Sequence, residues 1–169
     1  MKIAVPMQNG LLPDKYGKYA AAADQQDGYP VRSFPITITD APAGTKTFAL
    51  SLVDFDSVPV CGFVWIHWTA ANIPASLTSI PEDASQQLAD QFVQGHNSNV
   101  SRFVGLAGTP RASGYVGPQP PDKTHDYTLT VYAVDSELPL QNDYYLNDLR
   151  HALTGHTLAK ASIELPSRA

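Results

Sequence analysis

Three short segments gather the side chains best suited to chemistry, each at the edge of an apolar run. The first is Asp54-Phe55-Asp56-Ser57-Val58-Pro59, with two carboxylates that point the same way if the backbone is extended. The second is Trp65-Ile66-His67-Trp68, a histidine inside the most apolar stretch of the chain. The third runs from Gly114-Tyr115-Val116-Gly117-Pro118-Gln119-Pro120-Pro121 to His125-Asp126-Tyr127. Its glycines and prolines fix a loop, and His125 and Tyr127 leave it on one face of a strand. Neutral imidazole offers one N–H and imidazolium two, and a phenol adds one O–H. A dianion needs such donors, and glycine-loop N–H groups add to them, although Pro118, Pro120 and Pro121 contribute none. The carboxylates then orient a histidine and favour its protonated form, receive the amine end of a zwitterion, or share a proton with the ligand. The same groups also allow a two-histidine-one-carboxylate metal site, or an acid–base hydrolase, built from Asp54, His67 and His125. No H-x-H, H-E-x-x-H or G-x-S-x-G pattern accompanies that alternative. Taken singly, the segments also read as a solvated turn, a hydrogen-bonded core histidine and an ordinary loop.

The elements that must carry these groups are mostly strands. Val31–Thr39 is rich in β-branched and aromatic residues and is predicted to be a strand, followed by a turn at Ala41–Gly44. Thr47–Val53 alternates, with Phe48, Leu50 and Leu52 on one face, which Asp54 extends. Gly62–Ile73 is apolar on both faces, which predicts a mid-sheet strand closed by Pro74. Strict alternation there sends Trp65 and Trp68 to opposite faces, both as core residues. Asp126–Val134 is a further strand with Tyr127, Leu129, Val131 and Ala133 on one face.

Helices are predicted over Pro81–Val93, from Ala84, Leu88 and Phe92 at spacing four, and over Asn142–Leu153 with Asn142 as N-cap. Ala20–Ala23 forms at most a turn or two, stopped by Gly28. A long loop fills Gly95–Tyr115. A short helix from Leu158 to Ala161 and a strand Ile163–Leu165 complete the chain. The fold class is α+β and β-rich: a large, mostly antiparallel sheet with peripheral helices near the C-terminus.

Composition bounds the rest. The 169 residues suit a single domain spanning 1–169, with a real core and no need for a staple. A net charge of −5 disfavours nucleic acid and anionic membrane as partners, so any bound anion must be drawn by a local site. The single cysteine, Cys61, excludes an intrachain disulfide and reads as a small buried hydrophobe. No long apolar leader or membrane span is visible, so the expected location is cytoplasmic. His151 and His156 are poorly spaced for a shared metal, one of them suiting a helix C-terminus, and His96 in the long loop either borders the pocket or, as the favoured reading, faces solvent.

In order and separation, DFDSVP, FVWIHW with NIPA, GYVGPQPPDKTHDY and VYAVD resemble the phosphatidylethanolamine-binding protein family. The likeness is strongest to its bacterial, Raf-kinase-inhibitor-like branch, and the tail GHTLAKASIEL fits that branch too. It covers about residue 30 onward. Two features depart: Ser33-Phe34-Pro35-Ile36 lacks the tryptophan usual there, and Pro59 is displaced by one residue from the D-x-D-A-P pattern. The resemblance implies a smaller sheet packed on the large one. It also implies a pocket for phosphate or a similar anion, lined by Asp54, His67, His125 and Tyr127, with Asp56 as second carboxylate and Gly117 and Pro118 in the loop. The expected partners are a small anionic ligand or phospholipid head group and a regulated protein, with no cofactor. Relatives often pair as homodimers, although no interface is readable here.

Overall fold

The computed structural model describes residues 1–169. The strands in chain order are β1 (Lys2–Ala4), β2 (Gln25–Gln26), β3 (Tyr29–Pro30), β4 (Ile36–Thr39), β5 (Thr47–Asp54), β6 (Trp65–Pro74), β7 (Ser79–Ile80), β8 (Val93–Gln94), β9 (His125–Val134) and β10 (Thr157–Ser167). Three short helices accompany them: α1 (Val58–Cys61), α2 (Ala84–Gln87) and α3 (Leu146–Ala152). The large sheet has the order β10-β9-β5-β6-β8, and every neighbouring pair is antiparallel. A three-stranded sheet, β1-β4-β7, forms the second layer. No helix is long and apolar enough to cross a membrane.

Alternation in β5 explains the layering. Phe48, Leu50 and Leu52 face the smaller sheet and join Phe34, Ile36, Ile38, Trp68, Leu129 and Val131 in the main core. Ala49 faces the other way, where Leu149 of α3 and Leu153 just after it pack with Tyr144 and Val134. β5 is therefore buried along its whole length. A central strand covered on both faces positions its terminal residue, Asp54, firmly.

Several elements differ from the sequence-based expectations. The strand expected over Val31–Thr39 is confined to Ile36–Thr39, because Pro30 and Pro35 lack N–H groups for a continuous ladder. The Ala20–Ala23 turn falls at Ala22–Asp24 as a single 3-10 turn. Pro81–Val93 contains only the one-turn helix α2, which stops at Leu88, and Val93–Gln94 then joins the sheet. The pull of that edge pairing outweighs the weak apolar spacing.

α3 begins at Leu146, after Tyr145, whose N–H donates to Asp148 Oδ2 at 2.9 Å. Asn142 caps no helix; its Oδ1 instead accepts the Gln94 N–H of β8 at 2.9 Å. The tail is one strand, not helix plus strand. Ala159, Ala161, Ile163 and Leu165 alternate inward against β9, and this pairing overrides the helix propensity of the Ala-Lys-Ala stretch. Pro166 is tolerated because β10 is an edge strand.

Candidate functional site

Asp54, His67, His125 and Tyr127 converge at one end of the large sheet and line a single cavity of about 280 Å³. Register brings two of the strands together, with Asp54 paired to Tyr127 across β5 and β9. His125 lies two residues before Tyr127 and so shares its face.

His67 arrives by another route. Leu52 pairs with Trp68 and Val53 with Ile66, so His67 is an extra residue, a β-bulge in β6. The bulge turns His67 to the face that Trp68 also occupies. Its ring meets Tyr127 edge-on with centroids 5.0 Å apart, while Trp68 packs edge-on against Phe34 and Tyr115. The same shift brings Trp65 opposite Asp54. Trp65 therefore shares a face with Trp68 and lines the cavity, half-buried and stacked on Phe63. This corrects the expectation of two core tryptophans on opposite faces, because alternation fails across a bulge.

Each histidine has a defined set of partners. His125 Nδ1 lies 2.8 Å from Asp54 Oδ2, and its Nε2 lies 2.9 Å from Asp122 Oδ1. The Asp54 and His125 side chains are 5 % and 1 % exposed, so this is a buried ion pair with a half-exposed second acid. Carboxylates only accept, so both nitrogens of His125 act as donors and the ring is an imidazolium. Burial alone would lower its pKa, but hydrogen bonds and charge from Asp54 and Asp122 outweigh it and raise the value above the ordinary histidine range. Asp122, in turn, is held below the usual carboxylate range by its bond from His125.

His67 Nδ1 donates to the Val116 carbonyl at 2.7 Å, and its Nε2 makes no hydrogen bond to the protein. Burial lowers its pKa to about 4, against the opposing pull of the Val116 carbonyl and the Asp54 charge. The site thus pairs one charged histidine with one neutral histidine. The Tyr127 hydroxyl is held protonated, its pKa raised first by burial and then by the nearby Asp54 charge.

The loops that carry these partners are tightly fastened. Asp54 Oδ1 accepts the Ser57 N–H at 3.0 Å, and the Trp65 N–H donates to Ser57 Oγ at 3.0 Å. Ser57 precedes α1, which ends at Gly62 in the left-handed region at φ 89°. That turn presents Cys61 at the cavity wall, and the thiol is exposed rather than buried as the sequence reading had it. The cause is the short helix α1, which lifts the segment away from the sheet.

Across the cavity, Val116 N–H donates to the His67 carbonyl at 3.0 Å and Gly117 N–H to the Pro30 carbonyl at 2.8 Å. These loop amides are thus committed to the fold and are not free donors. Gly117 is needed for closeness: a Cβ there would stand 2.1 Å from the Tyr16 carbonyl oxygen. The buried Trp68 Nε1–H donates to Gln94 Oε1 at 2.8 Å, and Ser85 Oγ accepts the Tyr115 N–H at 2.9 Å, which anchors the loop from behind.

Two of the expected ligand-binding residues lie apart. Asp56 does not line the cavity; its Oδ2 accepts the Asp126 N–H at 3.0 Å and ties the β5 turn to β9. Pro118 is buried behind the wall that Gly117 and Gln119 form. The sequence reading missed Asp122, Ser57 and Gln119. The only signal for Asp122 was an acid three residues before His125. His96 is half-buried, with its Nδ1 3.1 Å from the Ala112 carbonyl, and His156 faces Asp135 at 2.9 Å. No lysine or arginine lines the cavity.

Residues 2–167 match the profile described as phosphatidylethanolamine-binding protein. The chain belongs to the phosphatidylethanolamine-binding protein family. The match reaches back beyond residue 30, to the N-terminal strand β1. The chain is 51 % identical over 160 residues to the uncharacterized protein YxkA of Bacillus subtilis, covering 95 % of each. It is 33 % identical over 135 residues to the protein YbcL of Escherichia coli, covering 76 % of this chain and 67 % of YbcL. Two solved structures share the fold, each with a TM-score of 0.76 at 24 % identity. One is YbcL of Escherichia coli, described as a member of the mammalian family, with 99 % of this chain and 98 % of that one covered. The other is a family homologue from Chlamydia trachomatis, with 99 % and 97 % covered. The α+β, β-rich fold expected from the motifs is therefore the fold of the family, and family membership supports a ligand-binding role.

Proposed function

We propose that this chain is a binding module for a small guest bearing a phosphate or similar anionic group, of the size of a phospholipid head group. The carrying observation is the buried Asp54–His125 pair beside the unpartnered nitrogen of His67, at the floor of one cavity. Its volume of about 280 Å³ is at the small end for ligand pockets, which suits a head group and not a large metabolite. The donor for the anion is the Tyr127 hydroxyl, which a guest would take over from Asp54; the Gln119 N–H reaches the same phenol oxygen. Phe55, Val58, Val60 and Phe63 are exposed around this end of the molecule, which supports a partner protein whose docking responds to occupancy. The catalytic alternative is weaker, because both nitrogens of His125 are held by carboxylates and are unavailable to a metal or a substrate.

The test is thermal. Phosphate-bearing ligands raise the melting temperature of the wild-type protein, and His67→Ala and Asp54→Ala abolish that rise. A ligand-induced rise that persists in both variants would place binding elsewhere. Sedimentation of the same samples measures whether two copies pair.

A further inference from the structure

We infer that the cavity selects an oxyanion that carries its own proton, such as a phosphomonoester or orthophosphate, over one that has none, with His67 Nε2 as the acceptor. This rests on the anion-binding reading and narrows it to a ligand class.

The Val116 carbonyl can only accept, so its 2.7 Å contact assigns the ring proton of His67 to Nδ1. A neutral ring held that way offers the guest a bare lone pair at Nε2, not an N–H. His67 is 5 % exposed, so charging the ring to create a donor is costly.

The surroundings supply little positive charge in its place. The titratable groups around the cavity are Asp54 on β5, His125 and Tyr127 on β9, Tyr29 on β3 and Cys61 on α1, with Asp122 behind His125. His125 is the one cation among them, and it is spent on Asp54 and Asp122. With no lysine or arginine in the wall, an unprotonated dianion would face a lone pair and a carboxylate. A guest O–H donated to Nε2 satisfies the lone pair, and a remaining oxygen accepts from the Tyr127 hydroxyl in place of Asp54. Equivalently, the proton passes to Nε2 and the guest remains as the anion; the proton count is the same. A phosphomonoester holds its last proton up to a pH of about 6. Sulfate and a phosphodiester hold none near neutrality.

The test combines calorimetry with ¹⁵N NMR of the histidine rings, on the full chain at pH 6 and pH 8. The probes are orthophosphate, sulfate, O-phosphoethanolamine and glycerophosphoethanolamine. The last two share an amine and differ in whether the phosphate is a monoester or a diester. Orthophosphate against O-phosphoethanolamine separates free phosphate from a monoester that carries an amine, and glycerophosphoethanolamine stands for the diester of a lipid head group. At pH 6, both protonated probes bind at least tenfold more tightly than sulfate and glycerophosphoethanolamine, and they weaken at pH 8. The free protein shows His67 protonated at Nδ1 alone, and Nε2 shifts on phosphate binding. His67→Gln loses the pH dependence. Sulfate or the diester binding as tightly as the monoester, or Nε2 carrying the proton in the free protein, overturns this inference alone. Failure of all four probes to bind overturns the anion-binding reading with it.

Discussion

His125 Nδ1 stands 2.8 Å from Asp54 Oδ2, with both side chains withdrawn from water, and this contact joins the ends of two central strands. Removing one partner of a buried pair leaves the other charge uncompensated, a cost of about 3 kcal/mol or more. Asp54→Asn should therefore destabilise the protein by about that amount in urea unfolding at pH 6. The sign with pH follows from the raised pKa of His125. Its stabilisation is full below the ordinary histidine range and fades as pH rises through the elevated folded-state value. The gap between wild type and Asp54→Asn should narrow from pH 6 to pH 9, and an equal gap at both would contradict the charged pair.

His67 predicts the opposite slope. Its folded-state pKa is lowered to about 4 from the ordinary 6.5, chiefly by burial, so the folded state binds fewer protons than the unfolded chain between those values. Stability should fall as pH drops from about 6.5 to 4, with His67 responsible for about 3 kcal/mol of the loss. Following the His67 ring protons by NMR while acidifying gives the midpoint directly. A midpoint near 6.5 would refute the burial argument.

Gly117→Ala should cost about 2 kcal/mol, because the added Cβ meets the Tyr16 carbonyl oxygen at 2.1 Å and Pro30 Cβ at 3.0 Å. The displaced loop carries the Val116 carbonyl, so ligand binding should weaken along with stability. Denaturant titration and calorimetry on the one variant read both effects.

Gln94→Ala removes the acceptor of the buried Trp68 Nε1–H and of the Ser85 hydroxyl. An unsatisfied buried donor costs about 1–3 kcal/mol, so the variant should lose stability in that range. The Trp68 indole N–H resonance should move, and no movement would mean that Gln94 is not its partner.

Cys61 is exposed at the cavity wall, so a thiol reagent should titrate one thiol per chain without denaturant. Attaching a bulky maleimide there should block the ligand-induced rise in melting temperature while leaving the fold intact by circular dichroism. A thiol that reacts only after unfolding would return Cys61 to the core.

Alternation alone places Asp54, His125 and Tyr127 on inward faces, since a period of two needs only the local residue order. The motif order likewise carries the family and the β-rich fold. Legible too were the apolar core of β5 and β9, and the termination of β6 at Pro74. Residue order does not encode how strands register against one another. The bulge at His67 exists only as a mismatch between β5 and β6, and it alone brings the histidine and Trp65 to the cavity side. Tertiary pairing also chose strand over helix for Leu158–Ala161 and reassigned Asn142 from helix cap to partner of β8. The protonation pattern was the least visible of all. One histidine is charged because Asp54 and Asp122 reach it, and the other is neutral because it is buried with only a backbone carbonyl as partner; both environments exist only when distant loops close over the sheet.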